Sequence, residues 1–144
     1  MAYTENMQVV SGPVSADASS NQYKCYARGA SQWALLASAG VRVDGILQDT
    51  PAAAARAGQF AVAGVCKGLA GEAITAGNLV CALANGKLGD SAVTALNVAG
   101  GAGDPASDPV KGAFVVGRAL EAASADGSVI SVLLMLHSGD FAAP

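Results

Sequence analysis

The sequence predicts a single all-β domain, a compact β-barrel or β-sandwich, with an extended N-terminal arm. Turn signals recur from Tyr23 onward, at roughly the 8–12-residue spacing of a small sandwich or barrel. Valine dominates the large apolar side chains with fifteen copies, and β-branched residues fit pleated strands. Asn85-Gly86 and Asp126-Gly127 lie between apolar runs and read as turns. Asn-Gly is the strongest short hairpin signal, because a type I′ turn needs positive φ at both central positions. The 144 residues suit one domain, which at that length buries roughly 68–70% of the surface its unfolded chain exposes.

Residues 1–22 are polar and Ser-rich and read as the arm, and residues 23–144 read as the β-rich domain. Val9, Val10 and Val14 are the arm's apolar anchors. Pro13 confines the segment to a sheet edge, because proline cannot donate to a ladder. Val9, Val10, Pro13 and Val14 are therefore the candidate partner-binding residues. Every predicted core hairpin lies beyond Tyr23, so the sequence predicts a domain that folds without residues 2–20.

Within the domain, residues 23–28 alternate as a strand, residues 33–37 follow as a second, and residues 41–47 as a third. Thr50-Pro51, four alanines and Gly58 supply an N-cap, an N1 proline and a closing glycine, which predicts one or two helical turns. Residues 59–65 read as a strand with Phe60 and Val62 on one face, and residues 72–83 as two short strands around Gly77-Asn78. Residues 99–109 are a flexible loop by composition. Residues 113–123 and 128–137 are the last two strands. The nearly continuous apolar run from Val129 to Leu136 reads as buried on both faces.

Charged residues make up 13% of the chain and the net charge is −3; a soluble domain usually carries ~25%. Alanine, glycine, serine and threonine must therefore cover much of the surface. Such a surface protects a free monomer weakly against association, which points to a protein in contact with other protein. The eight Lys and Arg are scattered singly, so nucleic-acid binding by charge neutralisation is not expected. No apolar run approaches the ~18 residues of a membrane helix. Residues 1–6 lack the basic and apolar regions of a secretory signal. Cys25, Cys66 and Cys81 are odd in number and include no CxxC. They read as apolar fillers in a protein made in a reducing cytoplasm. No metal is expected, since a tetrahedral site takes three or four ligands.

The catalytic inventory is poor. His137, the one histidine, has Ser138 and Asp140 beside it, but a triad needs its members converging in space. Residues 101–106 match a GxGxxA loop only loosely, and Pro105 and Pro109 oppose the helix that a dinucleotide fingerprint must open. Glu72 and Glu121 lie in strand-like segments, and either is a candidate buried acid with a raised pKa. A solvated or intersubunit role fits them better. The expectation is a non-enzyme with no cofactor and no small-molecule substrate.

Three segments carry a family resemblance: Val43 to Asp49 with Pro51, Gly64 to Lys67 leading to Ala73–Val80, and Val116 to Ala125 with Asp126-Gly127 and the following apolar run. In order and phrasing they resemble the capsid cement or head decoration proteins of tailed bacteriophages. Residues 8–14 look similar too. These motifs are glycines at turns and small alternating apolar residues, so they bring no catalytic residue with them. The resemblance implies a protein made in the host bacterial cytoplasm and carried on the capsid exterior of the virion. It implies binding to the major capsid protein, bridging of capsomers, and association with itself as a homotrimer. Another phage part, a tail or head-fibre protein, is the main alternative, and a small hydrolase using Glu72 and Glu121 is a lesser one.

Overall fold

The structure is a computed structural model that describes residues 1–91 and 114–137. The predicted loop at 99–109 lies outside the described residues. Among the described residues nine strands form the fold: β1 (Glu5–Pro13), β2 (Cys25–Arg28), β3 (Trp33–Leu35), β4 (Gly45–Leu47), β5 (Ala57–Leu69), β6 (Leu79–Ala82), β7 (Leu88–Asp90), β8 (Val115–Ala119) and β9 (Val129–His137). They join in one antiparallel sheet of order β3-β2-β4-β5-β9-β8-β6-β7, with β1 added beside β5. The sheet curls into a half-barrel, and the all-β expectation holds.

β5 organises the sheet. It pairs with β1 from Ala57 to Val65, with β4 at Phe60 and Ala61, and with β9 from Val65 to Leu69. Period-two alternation then creates two cores on opposite faces. Cys25, Ile46, Ala61, Cys66, Val80, Val116, Ile130, Val132 and Leu134 fill the concave side. Their sequence neighbours Tyr26, Leu47 and Phe60 point the other way, into a smaller outer core with Val14, Ala18 and Trp33. The Trp33 ring stacks on Phe60 at 4.0 Å between centroids and 7° between planes. Gly12 permits this approach, since a Cβ there would lie 2.5 Å from Trp33 Nε1.

Ala61 and Cys66 share the concave core although they are five residues apart. A bulge resolves the parity. Gly64 takes φ of +83° opposite Asn6 at φ +46°, and the β1–β5 register slips between Glu5 and Val9. An extra residue on one strand re-aims every later side chain, so Val65, Lys67 and Leu69 continue the outer face begun by Phe60 and Val62.

Several expectations need correction. Residues 50–56 form a loop with a turn at 53–55 rather than a helix, and residues 57 and 58 already belong to β5, because tertiary bonds claim the backbone. The Pro51 and Arg56 carbonyls accept from the Ala18 and Val14 N–H groups, and the Ala55 N–H donates to the Val14 carbonyl; so short a helix could not compete alone. In the 41–47 strand only residues 45–47 pair. The first of the two strands predicted around Gly77 reduces to one bridge, Ile74 to Ala123. The Asn85-Gly86 hairpin forms, joining β6 to β7, but its turn differs. Gly86 N–H bonds the Leu83 carbonyl and Leu83 N–H bonds the Lys87 carbonyl. Only Gly86 has positive φ, which is a three-residue loop rather than type I′. β9 is not buried on both faces: Ile130, Val132 and Leu134 point inward while Val129, Leu133 and Met135 are exposed.

Candidate assembly surface

The N-terminal segment belongs to the sheet of its own chain along β1. Val9 and Val10 are 41% and 38% exposed. They lie on opposite faces of β1, opposite Ala61 and Phe60 respectively. Pro13 is exposed at the end of the strand, opposite Ala57. Val14 departs from the expected set. It is fully buried in the outer core, because its N–H and carbonyl are bonded to Arg56 and Ala55, which turns its side chain inward.

The outer face of β9 supplies what sequence reading missed. Val129 is 39% exposed, Leu133 40% and Met135 50%, all from alternate positions of one strand. Between Val129 and Leu133 lies Ser131, fully buried beneath the N-terminal residues. Tyr3 N–H donates to Ser131 Oγ at 2.7 Å. The Ser131 hydroxyl and N–H also donate to Glu121 Oε2, at 2.9 and 3.0 Å. Leu133 sits opposite Val65 on one side and Arg118 on the other, and Val65 sits opposite Glu5. Val65 belongs to neither core, yet its neighbours leave it only 9% exposed.

The two candidate acids do not converge. Glu72 Oε1 accepts the Asp90 N–H on β7 at 2.8 Å, whereas Glu121 serves Ser131 on β9 and the amino group of Met1. β8 and β6 lie between those strands. The Glu121 carboxyl is held below its ordinary pKa by the hydrogen bond from the Met1 amino group, against a smaller opposing effect of burial, with Ser131 helping. That is the opposite of the raised value a buried general acid needs.

Cys25 and Cys66 are buried in the concave core and Cys81 is half-buried. Burial pushes the Cys66 thiol up to about 12 and the Cys25 thiol higher still, with the neighbouring Cys66 and Cys81 adding to it. Such thiols are inert. Among the described residues no three His, Cys, Asp or Glu side chains gather as a metal site.

No family model and none of the curated proteins compared matches the chain. A solved structure does. The chain is similar in fold to the head fibre gp8.5 N base of bacteriophage phi29. The TM-score is 0.53 at 15% identity, and the match covers 92% of this chain and 97% of that one. At that identity the likeness is one of fold.

Proposed function

We propose that this chain is a structural protein of a tailed bacteriophage, made in the host cytoplasm and fixed to the outside of the shell of major capsid protein, where it bridges neighbouring capsomers. The observation that carries the reading is the shared fold with a phage head-fibre base over nearly the whole of both chains. The capsid-decoration phrasing of the sequence and the exposed apolar residues of β1 and β9 support it. Val9 and Val10 lie on a nine-residue strand pairing with β5. A strand of this kind, with its other edge unpaired among the described residues, suits partner binding by strand addition, in which main-chain hydrogen bonds supply affinity. Many weak contacts of this kind, made by many copies, add up to a strong clamp.

A second reading, the base of a head fibre, is favoured by the identity of the solved neighbour itself. Quantitative mass spectrometry of purified particles separates the two. Hundreds of copies per particle are expected for a decoration protein and a few for a fibre base. Absence of the chain from purified particles overturns both.

A further inference from the structure

One row of directly opposed residues crosses four strands on the outer face: Glu5 on β1, Val65 on β5, Leu133 on β9 and Arg118 on β8. Opposed residues in antiparallel pairs share a face, and neighbouring strands lie ~4.8 Å apart. The row therefore has an apolar centre, an exposed acid at one end and an exposed base at the other. Met135 extends the apolar centre along β9, and Tyr3 borders it at Ser131. Among the described residues neither Glu5 nor Arg118 has an ion-pair partner.

A row with this charge order is complementary to its own reverse. We propose that a second copy of this chain packs on this face with the row reversed, so that Glu5 of each copy meets Arg118 of the other and the exposed Leu133 of each copy lies over the largely buried Val65 of the other. The contact is isologous, because one two-fold axis places the same patch on both copies. The charge pattern favours a copy over an unrelated partner, since a single patch supplies both halves of each ion pair. The proposal does not depend on the capsid reading.

The test is sedimentation velocity of the full chain over a range of concentrations, with circular dichroism melts to confirm folding. The wild type is expected to dimerise. Leu133→Lys and Met135→Lys change exposed residues, so they should stay folded and lose the dimer. Glu5→Arg creates two like-charge contacts and is expected to weaken the dimer roughly tenfold, as is Arg118→Glu. Combining the two reversals should restore it. A wild type that stays monomeric, a closed trimer without dimer, a folded Leu133→Lys variant that associates normally, or a double reversal that fails to recover overturns the proposal. Loss of binding to undecorated heads by Leu133→Lys, with a monomeric wild type, assigns the face to the shell instead.

Discussion

The outer face of the sheet is covered at one end and bare at the other. Around β2, β4 and β5, Tyr26, Leu47 and Phe60 are closed off by Val14, Ala18 and Trp33. Along β9, Val129, Leu133 and Met135 point from the same face and remain exposed. Both ends are apolar, so hydrophobicity does not distinguish them. The difference is the return of the chain: residues 14–18 are tied by backbone hydrogen bonds to Trp33, Pro51, Ala55 and Arg56, and at the other end, among the described residues, Tyr3 crosses over at Ser131. A covered apolar face stabilises the monomer, whereas an exposed one is a site for association.

The largest test of this contrast is deletion of residues 2–20. The sequence alone predicts a folded truncate. The structure leads to the opposite outcome, because the deletion strips β1 from β5 and takes Val14 and Ala18 off Phe60 and Trp33. Loss of a cooperative thermal transition is expected; a truncate that melts like the full chain would show the outer core to be dispensable.

Single truncations sharpen the comparison. Trp33→Ala should cost about 3–5 kcal/mol, as for a large aromatic removed from a core. Leu133→Ala on the bare end should stay within about 1 kcal/mol. Urea denaturation measures both, and equal costs would erase the distinction between the two ends.

The bulge that joins the ends is the next target. Gly64→Ala places a Cβ within van der Waals overlap of the Asn6 carbonyl at φ +83°. Strain of that kind costs on the order of 1–3 kcal/mol. A neutral effect on the urea midpoint would mean the bulge does not set the register.

The smallest effect is a pH dependence at the rim of the covered end. Burial by itself raises the Asp44 pKa, but hydrogen bonds from Arg42 and the Arg28 N–H, with the charges of both arginines, bring it below the ordinary value. A lowered folded pKa gives stability that is present above the unfolded carboxylate's pKa and is lost as pH falls through the folded one. Asp44→Asn should therefore destabilise by ~0.2–1 kcal/mol near neutrality. The gap from wild type should close in acid. A gap that persists there would assign the loss to packing.

Much of the fold was legible in the residues. Alternation and turn chemistry are local: Asn85-Gly86 marked the β6–β7 hairpin, Pro13 marked the end of an edge strand, and the valine-rich runs marked strands. The candidate surface was half legible. Val9, Val10 and Pro13 stand out in the sequence as apolar residues in a polar stretch, and the structure leaves all three exposed, while Leu133 and Met135 were hidden inside the nearly continuous apolar run 129–136.

What the sequence by itself determined was an all-β chain with its strands and turns near their observed places, and a poor inventory for catalysis. Those follow from backbone propensity and from the chemistry of side chains, which each short segment carries with it. Only the tertiary structure decided that Val14 faces inward, that residues 50–56 are a loop and not a helix, that Glu72 and Glu121 serve different strands, and that Val129, Leu133 and Met135 on one face of β9 stay exposed. Each of these depends on which distant segment supplies a hydrogen bond or a covering side chain. A strand's two apolar faces are chemically alike until another part of the chain returns to bury one of them.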